Sequence, residues 1–157
     1  DDCLTIHYQN PKIVAGCIPE WDGRILLCKR AIEPRYGLWT VPAGFMENGE
    51  STEQAAMRET WEEAGAEVMI ASLYSIFSIP HISQVYMLFR GELIDGHYQA
   101  GRESLECRLF EENDIPWDRL AFPVVKETLQ RYFIDKGRNN GFPLQRGEIS
   151  RHPPRQP

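Results

Sequence analysis

Apolar and polar residues change period several times along the chain, and each change marks an element. Residues 12–19 and 24–30 each hold an apolar run and flank the polar cluster Glu20-Trp21-Asp22-Gly23, which predicts two strands joined by a turn. A short apolar run over residues 38–41 predicts another strand and stops at Pro42. Residues 51–64 then contain no Pro or Gly and are mostly Ala, Glu, Gln, Met and Arg, so a helix is expected there. Ser51 with Gln54 three residues later fits a capping box, and Gly65 stands where a left-handed residue commonly ends a helix. Residues 67–79 and 82–93 read as two long strands, and residues 105–110 alternate as a last one. Val125, Leu129, Tyr132 and Phe133 form the apolar stripe of a second helix ending near Lys136-Gly137.

This order divides the chain into a lead-in over residues 1–11, one domain over residues 12–137 and an extended tail, rich in Pro and polar residues, over residues 138–157. A chain of 157 residues is long enough to bury a single core. Its formal charge of −6 argues against a general nucleic-acid binder, which carries a basic face. No apolar run approaches the roughly 20 residues of a membrane span, and no basic-then-apolar leader opens the sequence, so a cytoplasmic protein is expected. Cys17, Cys28 and Cys107 lie in apolar or alternating runs and read as buried free thiols, with no zinc-site spacing.

The chemistry concentrates in the first helix. At about 100° per residue Glu59, Glu62 and Glu63 share one face, while Ala56, Met57, Thr60, Trp61 and Ala64 fall on another, suited to packing on a sheet. Like charges at this spacing repel by a few tenths of a kcal/mol, a cost that makes sense where a cation sits among them. Mg²⁺ and Mn²⁺ prefer such carboxylate and carbonyl oxygens.

These glutamates belong to a longer pattern: Gly44, Glu50, Arg58, Glu59, Glu62, Glu63 and Gly65. Seven such matches arise by chance on the order of once in 10⁸ placements at average residue usage. The pattern resembles the Nudix box, which reads Gly, five residues, Glu, seven residues, Arg-Glu, two residues, Glu-Glu, one residue, Gly. Thr60 and Ala66 depart from its aliphatic packing positions but not from its charged ones. The likeness extends to Tyr8-Gln9-Asn10-Pro11-Lys12, to residues 26–30 and 37–44, and to residues 103–110, which are similar to a branch associated with ADP-ribose and FAD pyrophosphatases. Some members of that branch carry a zinc ribbon ahead of such a Tyr-x-Asn-Pro segment, and Cys3 is read as its remnant.

The resemblance implies an α/β fold, a mixed β-sheet sandwiched between helices, and a metal-dependent pyrophosphohydrolase. It implies Mg²⁺ or Mn²⁺ held by Glu59, Glu62 and Glu63, with a backbone carbonyl of Ala43 or Gly44 completing the site, and Glu50 with Arg58 bracing the carboxylates. The general base is either a box glutamate, Glu62 or Glu63, or one of Glu103 and Glu106, of which Glu106 is expected to be the better placed. Arg30, Arg35 and Arg102 stand near loop or strand ends and are candidates for holding phosphates. Tyr36, Phe45 and Tyr86 could stack on a base, though their spacing does not argue for it. The implied partner is a small nucleotide, with no nucleic acid and no membrane; homodimers, common among relatives, are left open. Pro80 favours ADP-ribose, and the Ser-Gln-Pro-Trp-Pro-Phe array of NADH pyrophosphatases is missing after Gly65. FAD remains the rival substrate. A Nudix-fold sensor that binds ADP-ribose without cleaving it is the other class, and such proteins usually lose box carboxylates.

Overall fold

A computed structural model describes residues 7–139 and 141–151. Cys3, read as a zinc-ribbon remnant, lies outside the described residues. Strand β1 (Lys12–Trp21) runs two residues further than its apolar pattern, because the chain reverses through Asp22 and Gly23 alone. Both have positive φ, 47° and 73°, the geometry that joins strands with a two-residue turn and hands the chain to β2 (Arg24–Arg30). Strand β3 (Trp39–Thr40) pairs with β2. Residues 43–45, expected as loop, form the short strand β4 (Ala43–Phe45) against the first half of β1.

Helix α1 (Thr52–Ala64) begins on the expected capping box. The Gln54 amide donates to Ser51 Oγ at 3.1 Å, and the Ser51 amide donates to Gln54 Oε1 at 2.8 Å. It ends at Gly65, whose φ of 55° is left-handed and favours glycine. Strands β5 (Val68–Ile79) and β6 (Gln84–Leu93) form a long antiparallel pair joined by a 3-10 turn, Pro80–Ile82. Strand β7 (Ser104–Phe110) returns along β2, and helix α2 (Pro123–Arg138) runs on through Gly137 to a left-handed Asn139. The stretch expected as an extended tail carries a further strand, β8 (Gln145–Glu148), parallel to β5 at the sheet edge.

The sheet is mixed: β1 lies parallel to β6 and antiparallel to β2 and β4. The larger core lies between the sheet and α2, where Val124, Val125, Leu129, Tyr132 and Phe133 meet Val14, Ile18, Ile25, Leu27 and Tyr74. Within it Trp39 meets Phe110 edge-on at 5.0 Å, an arrangement worth about 0.5–1.5 kcal/mol beyond area burial. A smaller core of Cys17, Leu26, Cys28, Ala64, Ala66, Val68 and Leu93 lies on the α1 side. The sheet is therefore sandwiched between helices. No helix among the described residues is long and apolar enough to cross a membrane.

One expectation for α1 is corrected. Its buried face is Ala55, Ala56, Glu59, Thr60, Glu63 and Ala64, whereas Met57 and Trp61 are 38% and 57% exposed. Taking Ala56 as the centre of the packed face, Glu63 and Glu59 fall about 20° and 60° to one side, while Met57 and Trp61 fall about 100° and 140° to the other. Two of the glutamates thus share the packed face with the alanines. The bulky residues lie beyond its edge.

Candidate active site

Because α1 packs on β1 and β4, Glu59 and Glu63 point at the backbone of β4 rather than into open water. The Ala43 amide donates to Glu63 Oε2 at 3.3 Å. Any Cβ placed on Gly44 would collide with the Glu59 carboxylate, so this position of the box is a glycine for want of space. Burial raises the pKa of Glu63 to about 8, and the neighbouring charge of Glu59 pushes the same way, outweighing the Ala43 amide and Arg30. Burial also raises Glu59, against the opposing effect of Arg58.

Arg58 is the hub of the cluster. Its Nε and Nη2 donate to the two oxygens of Glu50 at 3.1 and 2.8 Å, a bidentate fork. Nη1 reaches Glu59 Oε1 at 2.7 Å and Glu62 Oε2 at 3.1 Å, and Nη2 also donates to the Phe45 carbonyl at 3.1 Å. Glu50 accepts the Glu47 amide at 2.7 Å as well; its pKa is lowered, chiefly by Arg58 and then by that amide. The fork therefore ties the loop after β4 to the middle of α1.

Glu59, Glu62 and Glu63 line one cleft of about 720 Å³ together with Ala43, Gly44, Glu103, Arg30 and Arg35. Apolar side chains line the same cleft: Val14, Ile32, Ile79, Tyr86, Phe122, Val124 and Ile149. Arg30 is held in place by a 2.9 Å bond from Nε to the Pro34 carbonyl and lies 5.0 Å over the Phe122 ring. Phe45 lines the same cleft, Tyr36 does not.

Glu103 and Glu106 part company. Glu103 precedes β7, its carbonyl accepts the Ala31 amide at 2.8 Å, and it lines the cleft. Glu106, expected to be the better placed, sits opposite Lys29 within the β2–β7 ladder and outside the cleft. The ladder slips by one residue between Lys29 and Arg30, so the edge of the site falls at the start of β7 rather than within it. Arg102 is exposed and is not among the residues lining the cleft. Sequence reading missed Phe122, His81 and Ile149–Arg151, which the start of α2, the β5–β6 turn and the end of β8 bring to the rim. Phe122 and Pro123 at a helix start were the only signal available; β8 carries no hydrophobic period.

Oxygen donors in this arrangement suit a hard divalent cation. Two buried carboxylates lie side by side, and the one guanidinium among them is shared with Glu50 and Glu62. Additional positive charge would relieve both. Glu59 and Glu62 are turned toward Arg58 Nη1, and among the described residues no three acidic, His or Cys side chains are already gathered as a closed metal cage. The fit lies in the donor set and its burial.

Known proteins resemble this chain in sequence and in fold. The model of the NUDIX domain matches residues 10–132. An ADP-ribose pyrophosphatase of Methanocaldococcus jannaschii is 36% identical over 126 residues, covering 76% of this chain and 72% of that protein. A NAD-capped RNA hydrolase of Vibrio atlanticus is 32% identical over 73% of this chain, which spans 43% of that protein's length. Among solved structures, a NUDIX hydrolase from Nitrosomonas europaea superposes with a TM-score of 0.92 at 54% identity, covering 95% of this chain and 84% of that one.

Proposed function

The chain belongs to the Nudix family, and from that premise we propose that it hydrolyses the pyrophosphate bond of ADP-ribose or a closely related nucleoside diphosphate derivative, with Mg²⁺ or Mn²⁺. Nudix hydrolases act on small nucleotide substrates. The observation that carries the choice is the cleft itself, lined both by buried carboxylates and by apolar side chains. An anionic diphosphate belongs at the first and a nucleoside at the second. ADP-ribose stands ahead of FAD because the Methanocaldococcus relative is an ADP-ribose pyrophosphatase. Turnover stands ahead of a silent sensor because every box carboxylate is present.

In this reading Glu59, Glu62 and Glu63, with the carbonyl of Ala43 or Gly44, hold the cation. When bound, it would offset charge on the phosphoryl oxygens and help ionise the attacking water. Glu50 and Arg58 keep the carboxylates in register. Glu103 takes the proton of that water, as the carboxylate from outside the box that lines the same cleft. Arg30 and Arg35 hold phosphate oxygens as the P–O bond breaks, and the leaving oxygen departs on the second phosphate. ADP-ribose would yield AMP and ribose 5-phosphate.

The test is phosphate liberated by an added phosphatase from the products of ADP-ribose, FAD and NADH, and pyrophosphate released from 8-oxo-dGTP without the phosphatase, with Mg²⁺, Mn²⁺ or a chelator present. Hydrolysis of ADP-ribose, abolished by the chelator, is expected. Glu103→Gln should lower kcat by about 10²–10⁴-fold, the usual worth of a general base. Glu63→Gln should lose most turnover and keep its melting temperature, since the amide oxygen still accepts from Ala43. Wild-type rates in Glu63→Gln would overturn the metal site. An inert parent that binds ADP-ribose would restore the sensor.

A further inference from the structure

Outside the cleft, one pair of reactive side chains stands in a geometry that the hydrolytic reading does not use. Cys28 of β2 and Cys107 of β7 are direct partners across the antiparallel ladder, and their sulfurs lie 3.1 Å apart, both as free thiols. Directly opposed residues in such a ladder have Cα atoms about 4.5–5.5 Å apart, inside the roughly 4.4–6.8 Å span that a disulfide bridges. Closing the bond to about 2.05 Å asks the two sulfurs to approach by only about 1 Å, without moving either strand.

We infer that Cys28 and Cys107 form an oxidisable dithiol, a modification site that takes a hydroperoxide as its substrate and closes to an intramolecular disulfide. Cys107 reacts first, because it is partly exposed on a strand that pairs only with β2, while Cys28 is 1% exposed. Its sulfur attacks one peroxide oxygen, the O–O bond breaks, and a sulfenic acid and one water (or alcohol) are formed. The Cys28 sulfur then displaces the sulfenic oxygen as a second water. Two thiols lose two electrons and two protons, and the peroxide gains them. A small thiol reductant reverses the step by exchange.

The pair rests on the helix that carries the box. Cys28 Sγ lies 3.9 Å from the backbone carbonyl of Glu63 as an S–H donor, Cys107 Sγ lies 3.5 Å from it with its one S–H shared between that oxygen and Cys28 Sγ, and the Gly101 amide donates to the same oxygen at 3.0 Å. The disulfide has no S–H to give. Closing it therefore leaves Gly101 alone on that carbonyl, and the change is felt first in the last turn of α1.

Hydrogen peroxide added to the intact, reduced protein, followed by alkylation and peptide mapping, tests the chemistry. The expected result is a Cys28–Cys107 peptide lighter by two hydrogens, removed by dithiothreitol, with both sites closed to alkylation while Cys17, fully buried, remains a thiol. Cys107→Ala should abolish the product, with a melting curve run alongside to show that the variant folds. Both cysteines remaining alkylable at a dose that fully oxidises glutathione overturns the inference, as does either one linking to Cys3 or to a second molecule. Backbone amide shifts recorded before and after closure test the coupling: changes at Glu62–Gly65 and Gly101 are expected, and changes confined to β2 and β7 would overturn that half alone. Neither outcome depends on which nucleotide the cleft accepts.

Discussion

Gly44 shows how a single residue type can be dictated by the room its neighbour leaves. The Glu59 carboxylate occupies the space where a Cβ would stand, and it is held there by Arg58 Nη1 at 2.7 Å. Gly44→Ala must push Glu59 off that bond or bend β4 away from α1. What gives way is the end of one flexible side chain, so the cost is mainly that of its bond to Arg58, about 1 kcal/mol. Urea unfolding should report that loss, and ADP-ribose turnover should fall with it, because Glu59 is displaced toward solvent. Unchanged stability together with unchanged turnover would mean that Glu59 has other room. At this scale the sequence was legible where spacing alone decides: Gly44, Glu50, Arg58 and the three glutamates do meet in one place. It misled where burial decides. Glu106 and Glu103 differ by three positions in the chain, yet Glu106 stands opposite Lys29 within the ladder while Glu103, just ahead of the strand, lines the cleft.

Elements were read best where local chemistry sets their ends. The capping box and Gly65 fix α1 to within a residue, since both signals are hydrogen-bonding and steric facts of the chain itself. Strand β8 is the opposite case. Its four residues, Gln-Arg-Gly-Glu, offer no apolar alternation, and it exists because β5 presents an unpaired edge. It is nonetheless tied down on several sides. Gln145 Nε2 donates to Asp135 at 3.0 Å, Arg131 Nη1 donates to the Arg146 carbonyl at 3.3 Å, and the Ile149 amide donates to Ser78 at 2.9 Å. Ile149 also packs on the main core. Removing residues 145–157 should therefore cost about 2–4 kcal/mol, the sum of a partly buried Ile and a few hydrogen bonds. Guanidinium unfolding would measure it. The shortened chain should also self-associate in sedimentation, because the β5 edge is bared; a monomer of parental stability would show that β8 is an ornament of the sheet.

Across the whole molecule, the apolar layer that joins α2 to the sheet also encloses polar contacts, and one of them bears on how the fold answers to alkali. The apolar stripe of α2 was plain in the sequence, but Asp135 on the same helix gave no sign that it would be buried. Tyr74 of β5 donates its phenol to Asp135 Oδ2 at 2.7 Å, with both residues inside the core. Burial raises the pKa of Tyr74 and the bond to Asp135 adds to it; burial, with the charge of Glu20, does the same for Tyr132. A raised folded-state pKa means that the folded protein holds these protons more tightly than the unfolded chain. The corresponding stability is complete below the unfolded value of about 10 and is lost as pH climbs above it toward the higher folded values. The protein should thus lose stability steeply from about pH 10 upward, beyond what general repulsion among surface charges explains. Tyr74→Phe separates the two effects. At pH 7 it removes a donor from a buried carboxylate that, among the described residues, keeps Gln145, and should cost about 1–3 kcal/mol. Above pH 10 the variant has one fewer proton to hold, so its stability should fall less steeply and approach that of the parent. Urea midpoints taken from pH 7 to 11 would reveal the convergence; parallel curves for the two proteins would mean that Tyr74 ionises as readily folded as unfolded.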